Sequence, residues 1–162
     1  MSEIPHSNDV APVKPKKYML FQIAGRRFAT ALSNVREVIA LQNLTSVPGM
    51  PEYYSGLINL RGKIISILDL KIRLGLKDAK CEILVRRPTV IVTQGGEEPL
   101  GLIVDEVSEV ILLFENQIER KIEQLEESKK QGVVGAARID QQELTLILDL
   151  TKLRPPAGTR AA

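Results

Sequence analysis

Two motifs occur twice in this chain in the same order, and this duplication limits the fold more than any other feature. Leu32-Ser33-Asn34-Val35-Arg36-Glu37-Val38-Ile39 parallels Val104-Asp105-Glu106-Val107-Ser108-Glu109-Val110-Ile111, a capping residue followed by Val-x-Glu-Val-Ile. Further on, Ile67-Leu68-Asp69-Leu70 returns as Ile147-Leu148-Asp149-Leu150, and a glycine opens each preceding hairpin, Gly56 or Gly135. Two related lobes are therefore expected, over about residues 18–74 and 89–153.

The segments between these landmarks read as short strands. Tyr18–Ala24 and Arg27–Leu32 flank a Gly25-Arg26 turn, and Ser33 is expected to cap a brief helical turn, SNVREVI. Leu44–Val47 reads as extended. Proline and glycine then lead into Gly56–Leu60, an Arg61-Gly62 punctuation and the apolar run Lys63–Leu68, which together predict a tight hairpin. Asp69 is expected to cap a short helix, DLKIRL, ended by Gly75. Thr89–Thr93 with Pro99–Val104, and Gly135–Ile139 with Glu143–Leu148, read as further hairpins. Ile118, Ile122 and Leu125 stand at helical spacing, which predicts a helix over 116–130. Lys77–Arg87 connects the halves, and residues 1–17 and 155–162 read as tails. Many short strands without a βαβ pattern predict a mainly β fold of small barrels.

Composition removes several function classes. Twenty-two basic against 20 acidic residues leave a net charge of +2, too balanced to favour nucleic acid or an anionic membrane. Aromatic residues make up 4% and tryptophan is missing, which disfavours base-stacking platforms. The single histidine, His6, lies in the N-terminal tail, and the single cysteine is Cys81. Histidine triads, histidine-containing metal sites and a cysteine-rich zinc site are therefore not expected in the folded part. One cysteine fits a reducing cytosol, and no apolar run reaches the roughly 20 residues of a membrane helix. No catalytic, cofactor or metal residues are assigned.

The duplication also acts as an internal control. Asp69 superficially resembles the phospho-accepting aspartate of a receiver domain, but Asp149 repeats it in the same frame, so a helix-capping carboxylate is the expectation. For Asn59-Leu60-Arg61-Gly62 the control gives the opposite answer. The second hairpin is built with Arg138-Ile139-Asp140-Gln141-Gln142, so the fold does not require NLRG. Arg61 either forks onto a partner's carboxylate or pairs within its own lobe, and spacing alone does not decide. Glu37 is equally open, because Glu109 matches it. Arg26-Arg27 and Arg86-Arg87 read as solvated turns.

PGMPEYYSGLINLRGKIISILDLKIRLG, joined by NVREVI, PLGLIVDEVSEV and GAARI…LTLILDLTKL, resembles the CheW-type coupling proteins of bacterial chemosensory arrays over Tyr18–Leu153. The resemblance implies two small SH3-like five-stranded β-barrel lobes in pseudo-twofold arrangement, within a domain spanning 18–154. It implies a non-catalytic cytoplasmic adaptor, a monomer on its own, that links chemoreceptor cytoplasmic tips to the regulatory domain of a CheA-type histidine kinase within receptor arrays. Carried over by position, Val35, Glu37, Gly56, Asn59, Arg61 and Gly62 are the implied partner contacts, with Val90 and Ile91 in an apolar groove between the lobes. The chain departs from the family pattern in QIERKIEQLEESKK, which is rich in Lys and Glu where many relatives carry an acidic, proline-containing connector.

Overall fold

The computed structural model describes residues 14–76, 88–94, 98–121, 123, 132–140 and 144–154. Among the described residues eleven strands run in chain order: β1 Lys16–Ile23, β2 Arg26–Ala31, β3 Val35–Ala40, β4 Tyr54–Leu60, β5 Lys63–Asp69, β6 Thr89–Thr93, β7 Leu100–Val104, β8 Glu106–Leu113, β9 Ile118–Glu119, β10 Val133–Arg138 and β11 Leu144–Leu148. One short helix, α1 (Leu70–Arg73), follows β5. The expected tails beyond residues 14–154 and the expected link over 77–87 lie outside the described residues, although Lys16 and Lys17, placed in the tail by sequence, begin β1.

The strands form two sheets, ordered β8-β1-β2-β11-β10-β9 and β3-β6-β7-β5-β4. The duplication is visible in every pairing. β1 with β2 and β6 with β7 are antiparallel hairpins, while β2 with β11 and β7 with β5 are parallel. The hairpins β4–β5 and β10–β11 each shift register just before their glycine. The two-residue β9 on β10 even has a counterpart in the single bridge from Thr45 to Leu57 on β4.

The lobes, however, do not divide the chain at 18–74 and 89–153. The first hairpin, β1–β2, lies in the sheet of β8–β11, and β6–β7 lies in the sheet of β3–β5. Each half of the chain gives its first hairpin to the other half's sheet.

The cores explain this exchange. Tyr18 and Leu20 point into the first sheet's own core with Ala29, Leu113 and Ile147. Val90 and Val92 do the same in the second, with Ile58, Leu60, Ile65 and Ile67. The alternate residues of the same strands, Met19 and Phe21 on β1 and Ile91 on β6, meet between the sheets. That middle core also holds Phe28, Leu68, Leu102, Leu148 and Leu150, with the Phe21 and Phe28 rings stacked at 5.9 Å. Strands that bury both faces must be apolar at consecutive positions, which YMLF and VIV are.

Two local expectations are corrected. VREVI is strand β3 rather than a helical turn; only Leu32–Asn34 forms a 3₁₀ turn, and no side chain caps it, Ser33 included. Register shifts at Arg36 in β3, so Val35 and Val38 come to share a face as they would on a helix. Residues 115–119 are a 3₁₀ turn followed by β9, not the start of a helix, and most of the remainder to 130 lies outside the described residues. The capping aspartates are as expected: Asp69 accepts from the Lys71 and Ile72 amides, and Asp149 from the Thr151 amide.

Gly56 is fixed by backbone geometry. Its φ is +142°, and a Cβ there would run into the Thr45 carbonyl, which accepts the Leu57 amide at 2.9 Å. Gly56→Ala is expected to lower the unfolding free energy by about 2 kcal/mol or more, measured by urea titration. Unchanged stability would show that the Thr45 segment can move aside freely.

Candidate functional site

The tip of the β4–β5 hairpin is a two-residue turn in which both central residues have positive φ, 51° at Arg61 and 85° at Gly62. Asn59 closes it from below, its Oδ1 accepting the Gly62 amide at 2.9 Å. Glycine takes a left-handed conformation freely, but an arginine there gives up roughly 1–2 kcal/mol relative to the right-handed form. The backbone requirement belongs to the fold. By the register of Gly56 with Ile67 and Gly135 with Ile147, Arg61 corresponds to Asp140, whose φ is 55°. Aspartate tolerates that conformation better than most residues, so arginine is the less favourable solution of the two.

The guanidinium lies across to β3. Its two terminal nitrogens donate to both oxygens of Glu37, at 3.2 and 2.8 Å. This fork answers the question left by the sequence: in the free chain Arg61 pairs within its own lobe. The pair is unequal, since the Arg61 side chain is 73% exposed and Glu37 only 21%. An exposed ion pair of this kind contributes about 0–1 kcal/mol. Its effect is geometric, tying the hairpin tip to the edge strand.

Beside the pair is a shallow cleft of about 70 Å³. Leu60, Ile65 and Val92 form its floor, and Arg36, Glu37, Arg61 and Lys63 its rim. It is far smaller than the roughly 300–1,000 Å³ of a small-molecule site. Three cations against one carboxylate, over an apolar floor, suit a macromolecular surface that presents an acid. Among the described residues no group of three or more His, Cys, Asp or Glu could hold a metal.

Of the sequence-derived contacts, the structure brings together Glu37, Asn59, Arg61 and Gly62. Val35 lies outside the cleft, half-buried at the margin of the middle core. Gly56 is buried beneath Thr45 and offers no surface. Val90 and Ile91 are corrected outright: both are 0% exposed, one in its lobe's core and the other in the middle core, so neither lines an open groove. Arg36 and Lys63 on the rim, and Val38, 41% exposed on β3, were missed. The repeated Val-x-Glu-Val-Ile pointed at Val38, because Val110 matches it and is exposed as well.

The other lobe lacks this latch. Glu109 and Asp140 occupy the positions of Glu37 and Arg61, so two carboxylates replace the ion pair. That lobe is tied elsewhere, where the Arg120 Nε donates to Glu115 at 2.5 Å and another Arg120 nitrogen to the Val134 carbonyl at 3.4 Å. The Arg120 hydrogen bond holds the Glu115 carboxyl below its usual range. Burial, aided by the Glu115 charge, pushes the neighbouring Tyr18 phenol above its usual 10.0.

Residues 17–155 match the model of the CheW-like domain. The chain belongs to the CheW-like family. It is 32% identical over 132 residues to the "Probable chemotaxis protein CheW" of Rhizobium etli, covering 82% of this chain and 83% of the relative. It is 30% identical to the "Chemotaxis protein CheW" of Bacillus subtilis, over 82% of this chain and 81% of that protein. The crystal structure of the scaffolding protein TtCheW from Thermoanaerobacter tengcongensis superposes with a TM-score of 0.74 at 33% identity, covering 94% and 96% of the two chains. The two-lobed β fold is thus the CheW fold.

Arg61→Gly, which removes the guanidinium and relieves the left-handed residue together, is expected to leave the urea midpoint unchanged or raised. Arg61→Ala should cost less than about 1 kcal/mol; a larger loss in either variant would make the fork a main support of the lobe. At alkaline pH, a raised phenol value in the folded state means that stability is present below pH 10 and is lost as pH climbs through that raised value. Denaturant midpoints between about pH 9 and 11 should fall in the parent and fall less in Tyr18→Phe.

Proposed function

We propose that this CheW-like chain is a non-catalytic adaptor coupling chemoreceptors to a CheA-type histidine kinase in chemosensory signalling, and that the Glu37–Arg61 latch is its contact site. Family membership supports the adaptor role, since the family acts by binding and not by catalysis. What supports the site is the guanidinium held at the hairpin tip against its backbone preference, where the second lobe manages with Asp140. The fork fixes the direction of Arg61 before any partner arrives, which lowers the entropy lost on binding. Arg36 and Lys63 extend the cationic rim, and Leu60, Ile65 and Val92 supply apolar area beneath it.

On this reading the partner surfaces are the regulatory domain of the kinase and the cytoplasmic tip of the receptor. The adaptor works in the cytoplasm, held at receptor arrays by those contacts. No described helix is long and apolar enough to cross a membrane. Val35 and Val38 on β3 give the receptor side an apolar strip continuous with the margin of the middle core.

Calorimetric titration of the purified chain with the kinase regulatory domain tests the role. Binding with a dissociation constant of about 1 μM or tighter is expected, and Arg61→Ala should weaken it by roughly tenfold or more while losing less than about 1 kcal/mol of stability. Equal binding by the variant would remove Arg61 from the contact; no binding by the parent would overturn the kinase assignment. On the receptor side, Val38→Asp is the cleaner probe and should reduce association, whereas Val35→Asp combines that loss with a charge at the margin of a core.

A further inference from the structure

Arg36 and Glu37 are consecutive residues of β3, and strand alternation would send their side chains to opposite faces of the sheet. Both nevertheless line the cleft beside the latch. The pairing of β3 with β6 passes from Val35–Thr93 directly to Glu37–Val92, so Arg36 is the extra residue of a bulge. A bulge bends its strand and re-aims the side chain it carries, here toward the cleft.

The duplication separates what the fold requires from what has been added to it. β8 has a bulge of its own at the matching position: its pairing with β1 passes from Glu109–Leu20 to Val107–Phe21 and leaves out Ser108. The bulge therefore belongs to the shared backbone plan, and the arginine on it does not. Across the cleft the same holds for Lys63, which matches Glu143 in the repeated frame. One lobe places Arg36, Arg61 and Lys63 around Glu37, where the other has Ser108, Asp140 and Glu143 around Glu109.

The three cations are not equivalent. Arg61 is forked onto both oxygens of Glu37, which cancels most of its field and leaves it a directional donor. Arg36 and Lys63 are exposed, and among the described residues neither has an ion pair. Their charges supply the net positive field of the cleft. In physiological salt that field reaches roughly 8 Å, far enough to act on a partner before the apolar floor is touched.

We propose that Arg36 and Lys63 are the specificity-determining residues of the latch site: they select and steer an acidic surface of the kinase regulatory domain, and Arg61 holds it once docked. This division of roles rests on the proposed contact between the latch and the kinase. A basic surface approaching the cleft would meet two uncompensated charges of its own sign, so the same pair also rejects wrong partners.

Stopped-flow association of the full chain with the kinase regulatory domain tests these roles, in salt from about 20 mM to about 500 mM. The parent's association rate should fall about tenfold or more over that range. Arg36→Ser combined with Lys63→Ala should slow association about tenfold at low salt and less than about twofold at high salt, with dissociation little changed. Both positions are exposed, and serine already occupies the matching bulge of the other lobe, so the melting temperature should hold. Arg36→Lys keeps the charge without the planar fork and should associate like the parent. Arg61→Ala should instead speed dissociation. Arg26→Ser, which removes an exposed cation from the other sheet, should match the parent. No binding by the parent at any salt would remove the kinase assignment and the steering role together. Salt-independent association, a double variant changed only in dissociation, a slowed Arg36→Lys or an equally slowed Arg26→Ser would overturn the steering role alone.

Discussion

The structure depends on one apolar layer, the middle core between the two sheets. Met19, Phe21 and Phe28 from one sheet meet Leu68, Ile91 and Leu102 from the other, with Leu148, Leu150 and Leu153 completing the contact. Each sheet also closes on a core of its own, so β1 and β6 are apolar on both faces. Neither sheet can expose its middle-core face without putting a run of large side chains into water, at roughly 25 cal/mol for each Å² uncovered. The lobes are therefore bound into one unit, and everything placed at their outer ends is held on a rigid base.

On that base the two lobes diverge in charge. One hairpin tip carries a guanidinium forked onto Glu37, and the matching positions in the other carry Glu109 and Asp140. The same backbone thus presents a neutralised, cation-rimmed cleft at one end and two carboxylates at the other. The duplicated frame keeps the backbone plan, and residue choice at the tips gives the two ends different charge.

The β character, the hairpins, the capping aspartates and the two-lobed plan were legible because each rests on a local pattern: turn residues, alternation, or an Asp before a short apolar helix. What failed rests on longer range. The bulge at Arg36 gave β3 the i, i+3 spacing of a helix, so a strand looked like a turn. The family resemblance implies a groove role for Val90 and Ile91, although three successive apolar residues state burial on both faces. The choice between a self-paired and a partner-facing Arg61 needed Glu37 to be brought 24 residues nearer by the sheet, which spacing cannot show. The exchange of first hairpins was also invisible, since a hairpin's sequence fixes its own turn and register but not the sheet that receives it.

That exchange limits what either half of the chain could do alone. One half of it, β1 to α1, holds a hairpin with no sheet to join and a three-strand remainder with two central places vacant. It could bury its apolar faces only against a second half, each lending the other its first hairpin. Covalent linkage of the two halves makes one folding event of what separate halves could reach only by associating. Within one chain the two halves can also differ at matching positions, as Arg61 and Asp140 do, which a symmetric pair of identical chains could not.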